Sequence, residues 1–224
     1  MSDAAVRSAI RDSLGVGIAV GAYGFAFGAA SVAAGLSVLQ TCLLSLLAFT
    51  GGTQFAVVGV VAGGGSLAAA LGSGLLLASR NTLYAMRLAP LLQVRRARRL
   101  LAALGTIDES TAMAIAQRQP ALSRVAFWWT FAGVFTFWNL STLLGAAGAS
   151  AFGDPRNYGL DAVIPAAFLA LLAPRLRSGA IERRVAVGGA VIALVLIPLT
   201  PPGVPVLGAC AALLLSATVP GRRS

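Results

Sequence analysis

The residues able to do chemistry in this chain are few, and most stand alone in apolar surroundings. Arg80 follows a stretch, residues 13–79, that carries no charge at all. A guanidinium there can grip both oxygens of a carboxylate at once. An arginine at the centre of a membrane span costs about 2.5–3.5 kcal/mol on insertion scales, which makes it a functional candidate. The competing reading places Arg80 near a span end, where it reaches out to water as Arg87 does. Asn81 and Tyr84 follow, and Tyr84, four positions on, shares a helix face with Arg80. Both serve equally well as glue between helices. Asp161 is an acid inside an otherwise apolar run. It is a candidate for proton coupling, and it also fits a helix start, where the dipole favours a carboxylate. Trp138 and Asn139 either line a cavity or pack helices together.

Two further groups invite a chemical reading. Gly51, Gly52, Thr53 and Gln54 interrupt an apolar run with two adjacent glycines and two polar side chains. Such a sequence suits a break in a helix at membrane depth, tolerated where protein or a water-filled cavity covers it. Discontinuous helices of this kind build transporter binding sites; close helix packing is the other use of paired glycines. Asp108 and Glu109 form an acidic pair, but Thr106 with Glu109 three positions later also reads as a capping box at a helix start.

What is missing limits the chemistry as strongly. The chain has no His, and all 17 of its basic residues are Arg. A His-ligated metal, a Ser-His-Asp triad, a Schiff-base lysine and the lysine of a phosphate-binding loop are all excluded. The expectation is a protein that is not an enzyme and uses neither metal nor cofactor. Cys42 and Cys210 lie in apolar runs and read as small hydrophobes rather than a disulfide.

The elements that must position these residues follow from composition. Of the 224 residues, 58% are apolar and 11% are charged, with a mean hydropathy of +0.85. A soluble domain carries about 25% charged residues. The expected fold is therefore all-α, a single membrane domain over residues 1–224, and the formal charge of +10 does not mark a nucleic-acid binder. Spans of about 20 residues fit residues 15–36, 125–147, 158–174, 185–199 and 203–219. Fourteen of the arginines fall in four groups, residues 7–11, 95–124, 175–184 and 222–223. The positive-inside rule puts all four groups, and both termini, on the cytoplasmic side. Residues 13–94 must then cross an even number of times. The economical solution gives about six full spans in all, plus a broken or re-entrant element around residues 38–63. Gly17, Gly21, Gly24 and Gly28 recur at helical spacing and predict a smooth face for close packing, with substrate lining as the alternative.

Residues 78–90, with Arg80, Asn81, Tyr84 and Pro90, taken with residues 45–55 around Gly51, Gly52 and Gln54, resemble the AzlC family. Its members are large subunits of bacterial branched-chain amino-acid exporters. Thr106-Ile107-Asp108-Glu109, Phe137-Trp138-Asn139-Leu140 and Gly159-Leu160-Asp161-Ala162 look like three further motifs of that family, in the expected order. The resemblance covers about residues 12–215. The glutamine motif departs from the usual form, with Thr50 and Gly52 where the family commonly has Ala and Ala or Ser.

The resemblance implies a secondary-transporter subunit of the inner membrane that exports branched-chain or similar apolar amino acids. It implies a small hydrophobic AzlD-like partner, and an amino-acid substrate bound by Gly51, Gly52, Thr53, Gln54, Arg80, Asn81, Tyr84, Trp138 and Asn139. A membrane-embedded enzyme and a helix-packing scaffold are the alternatives.

Overall fold

The computed structural model describes residues 2–151, 166, 169, 172–173, 176–201 and 203–214. Among these, every regular element is helical: α1 (Asp3–Gly21), α2 (Tyr23–Ala33), α3 (Val38–Leu47), α4 (Gly52–Ala62), α5 (Leu67–Ala78), α6 (Arg80–Leu92), α7 (Arg98–Leu104), α8 (Asp108–Ile115), α9 (Pro120–Ala151), α10 (Ala180–Leu196) and α11 (Val204–Ala209). Asp154, Arg156, Asp161, Arg175, Arg222 and Arg223 lie outside the described residues, and so does most of the span expected at 158–174.

Serines start several of these helices because a hydroxyl can satisfy a free backbone N–H at the first turn. Ser37 Oγ accepts from Gln40 N at 3.2 Å while Ser37 N donates to Gln40 Oε1 at 2.8 Å, a complete capping box for α3. Ser2 and Ser66 do the same in simpler form for α1 and α5. The helical pairs α1–α2 and α5–α6 meet at Ala22 and Ser79, both in right-handed helical conformation, so each pair is one rod with an irregularity rather than two separate helices.

The long helix α9 is the spine. Residues 3–33 and 120–151 are each long and apolar enough to cross a membrane. They run parallel and in close contact, because the contacting side chains of α1–α2 are small. A methyl at Gly17 would sit 2.8 Å from the Gly133 carbonyl carbon. One at Gly24 would strike the Trp138 carbonyl, and one at Gly28 the Thr142 carbonyl. Gly145 offers the reciprocal approach to the Phe25 carbonyl. The glycine stripe is thus a packing seam, the first of the two uses its spacing predicts. Beside it, Phe27, Phe55 and Trp138 stack edge and face, with ring centroids 5.5–6.3 Å apart.

Two helical hairpins approach this spine from opposite ends. The helix α3 runs antiparallel to α9: Ser45 Oγ donates to Asn139 Oδ1 at 2.7 Å, and further along Phe49 packs on Phe135 and Phe131. At Gly51, φ is +63°, a conformation that disfavours any side chain, and the chain reverses there. The helix α4 then packs along α5, while its Gln54 Nε2 reaches back to α3 and donates to the carbonyls of Ser45 (3.1 Å) and Leu44 (3.4 Å). This is the break expected from Gly51-Gly52, and it takes the form of a hairpin. The rod α5–α6 passes the hairpin, with Gly74 against Val57 and Arg80 beside Gly52. It continues to the Pro120 end of α9, where Arg124 Nε donates to the Leu91 carbonyl at 2.9 Å.

The second hairpin corrects an expectation. Residues 98–115, read from sequence as part of a basic loop, form α7 and α8 instead. Arg98 and Arg99 occupy only the start of this segment, while residues 100–107 and 111–116 are mostly apolar and can be buried. Ala102, at the foot of α7, clusters with Leu92 and Phe127; Gly105, at its top, meets the Phe131 ring; Ala114 returns to the Phe127 level. The proposed Thr106–Glu109 capping box does not form. Thr106 Oγ1 donates to the Ala102 carbonyl, and Ser110 Oγ accepts from Ile107 N. The free cysteines agree with the sequence reading.

Replacing Gly24 or Gly28 by Ala is expected to lower the unfolding temperature of the purified protein, since overpacking against backbone costs about 1–3 kcal/mol. Gly15 and Gly148 have nothing within 4 Å of an added methyl. Their replacement by Ala leaves stability unchanged or raises it, by up to about 1 kcal/mol from helix propensity. Thermal unfolding in detergent compares the two pairs.

Candidate functional site

The tips of the two hairpins meet at Arg80, the residue with which α6 begins. One tip carries Thr50, Gly51 and Gly52; the other carries Asp108 and Glu109. Arg80 touches both. Its Nη2 lies 2.8 Å from Asp108 Oδ2 and 3.5 Å from the Thr50 carbonyl oxygen. Asp108 is held at its other oxygen as well, where the Tyr84 hydroxyl donates to Oδ1 at 2.6 Å. The arginine and tyrosine sit four positions apart on one helix face, so a single helix grips both carboxylate oxygens. The pair is partly accessible, with side chains 37% and 40% exposed, so its energy is screened. Its consequence is geometric: it joins the two tips.

A cavity of about 360 Å³ opens at this junction. One part of its wall is polar, formed by Thr50, Arg80, Asp108 and Glu109. The other is apolar or aromatic, formed by Val20, Tyr23, Phe55 and Trp138. Gly51 and Gly52 supply backbone between them. Several buried polar atoms here have no hydrogen-bond partner: Arg80 Nε, Trp138 Nε1 and Thr50 Oγ1. Trp138 is 96% buried, yet its N–H donates to nothing in the described structure. Buried donors in native proteins are normally satisfied. Two unpaired donors and a hydroxyl thus belong to residues of one cavity wall, although the atoms themselves are buried behind its surface.

Four of the candidates named from sequence line the cavity together: Gly51, Gly52, Arg80 and Trp138. Tyr84 acts on it through Asp108. Gln54 and Asn139 are turned to framework bonds instead, Gln54 across the hairpin and Asn139 between Ser45 and the Phe135 carbonyl. Thr53 faces α5 at Gly74, and neither it nor Asn81 is in the lining. Asp161 lies outside the described residues. Sequence reasoning underrated Asp108 and Glu109. The available signal was their position at the middle of a run that is apolar on both sides, the same pattern that marks Gly51 and Gly52.

Residues 15–152 match the sequence model of the family described as AzlC protein, which is more than half of the chain and includes both hairpins and all of α9. The chain belongs to the AzlC family. That family is associated with branched-chain amino-acid transport, a membrane process rather than an enzymatic one. No curated protein and no solved structure matches the chain. Within the AzlC match lie Arg80, Asp108, Glu109 and Trp138, so the cavity belongs to the part of the chain that defines the family.

The tip geometry gives a direct test. A methyl at Gly51 enters a backbone conformation that costs about 1–3 kcal/mol for a non-glycine residue. Gly51→Ala is expected to destabilise the protein by that amount in thermal unfolding. Gly63→Ala, at the end of α4 with φ of −77° and its nearest neighbours at 3.5 Å, changes it little.

Proposed function

We propose that this protein is the large subunit of a secondary transporter that exports branched-chain or similar apolar amino acids across the inner membrane. The observation that carries this reading is Arg80 at the junction of two broken helices, in the wall of a cavity that is polar on one side and apolar or aromatic on the other. Broken helices meeting at mid-depth are a recurrent way to build a transporter site, because irregular backbone is tolerated only where protein or a cavity shields it. A leucine or valine has a carboxylate for Arg80, Trp138 and Thr50, and an aliphatic side chain for Val20 and Phe55.

In this reading the chain crosses the membrane several times. The Pro120 end of α9 faces the cytoplasm with Arg7, Arg11, Arg95, Arg96, Arg98, Arg99, Arg118 and Arg124, as the positive-inside rule requires. The hairpin α3–α4 enters from outside and α7–α8 from the cytoplasm, while α1–α2, α5–α6 and α9 cross fully. Both termini are cytoplasmic. A small hydrophobic AzlD-like subunit completes the transporter. Asp161 remains a candidate for proton coupling, tested by whether Asp161→Asn removes any pH dependence of export.

Cells preloaded with leucine and expressing this chain with its small partner are expected to release leucine faster than cells with neither. Arg80→Gln lowers the rate by at least about tenfold, the scale of a lost charged hydrogen bond. Arg80→Lys restores it only in part, since an ammonium lacks the planar fork. Leucine efflux unaffected by Arg80→Gln, or none with the partner present, contradicts the proposal.

A further inference from the structure

An amino acid has two charged ends, and the polar wall of the cavity has two carboxylates as well as one guanidinium. The two carboxylates are not equivalent. Both oxygens of Asp108 are occupied, one by Arg80 and one by Tyr84. Glu109 lines the same cavity and forms no ion pair with any described residue. Among the lining residues Arg80 carries the one positive charge, and its shortest polar contact is with Asp108. Glu109 therefore brings a second carboxyl group to a wall whose single cation is already engaged. A buried carboxylate without a counter-ion is expensive unless a cation is supplied from elsewhere.

The donors beside it complete the contrast. Arg80 Nε, Trp138 Nε1 and Thr50 Oγ1 are buried within the residues of this wall without a protein partner, and Glu109 has no side-chain cation among the described residues. An acceptor-rich end and a cationic end on one small ligand meet this arrangement, and an α-amino acid zwitterion has both on one carbon.

We propose that Glu109 is the ammonium-binding residue of this site, and that with Arg80 and Trp138 it makes the cavity selective for α-amino acids over carboxylic acids of the same shape. The assignment rests on the transport reading above and adds the group that recognises the amine. Asp108 positions Arg80 and does not itself meet the ligand. Glu109 is thereby a specificity-determining residue, and a carboxylic acid that lacks the amine occupies the same pocket with the Glu109 contact unmade.

The test uses the full-length chain purified with its small partner and three probes: leucine, 4-methylpentanoate, which is leucine without its amine, and 3-methylbutylamine, which is leucine without its carboxylate. Wild type is expected to bind leucine at least about tenfold tighter than either analogue, the scale of one charged hydrogen bond. Glu109→Gln is expected to weaken leucine about tenfold or more while leaving 4-methylpentanoate unchanged or tighter. That retained binding shows that the variant is folded. Glu109→Asp recovers part of the preference. Leucine affinity unchanged by Glu109→Gln, or leucine and 4-methylpentanoate weakened equally, overturns the assignment while leaving the transport reading in place. Wild type that binds none of the three overturns both.

Discussion

Backbone that leaves the helix inside an apolar protein must find new partners for its amides and carbonyls, and the structure depends on how this chain meets that requirement twice. At the first hairpin, Gln54 takes the carbonyls of Leu44 and Ser45, and the guanidinium of Arg80 approaches that of Thr50. At the second, Ser110 accepts the Ile107 N–H and Thr106 donates back to Ala102. Each break thus carries its own polar side chains. Arg80 then links the two breaks by pairing with Asp108. Without this arginine, the Thr50 carbonyl and the Asp108 carboxylate would face each other across the junction with no cation between them.

The rest of the fold holds these breaks at the same level. The glycine seam lets α1–α2 lie directly against the α9 backbone. That close approach brings Phe27 and Trp138 together, and Phe55 of the first hairpin packs against both. Asn139, one residue beyond Trp138, receives the Ser45 hydroxyl and so fixes α3 in register with α9. One face of α9 therefore sets both the depth of the first hairpin and the orientation of the indole in the cavity.

Much of this arrangement was legible in the sequence, for identifiable reasons. The glycine spacing in residues 17–28 specifies a helix face by itself, and the seam follows. Gly51-Gly52 in an apolar run specifies a break, because two adjacent glycines flanked by polar side chains make a poor centre for a lipid-facing helix. The α7–α8 hairpin was hidden by its arginines: a dense basic cluster at residues 95–99 dominates a charge-based reading and makes the following apolar run look like loop. The roles of Asp108 and Tyr84 were out of reach for a related reason. Helical spacing relates Arg80 to Tyr84, but nothing local relates either to a carboxylate 24 or more positions away. Gln54 and Asn139 were placed near the site by their position in motifs, and only the fold separates framework bonds from cavity lining.

The central claim is that an apolar amino acid binds where the two hairpin tips meet Arg80. Photo-leucine, in which a diazirine replaces part of the aliphatic side chain, reports that location directly after illumination and peptide mapping of the full-length chain with its small partner. The account predicts labelling of peptides containing Val20, Phe55 or Trp138, suppressed by excess leucine. Labelling confined to other segments, or labelling at these residues that excess leucine does not suppress, contradicts it.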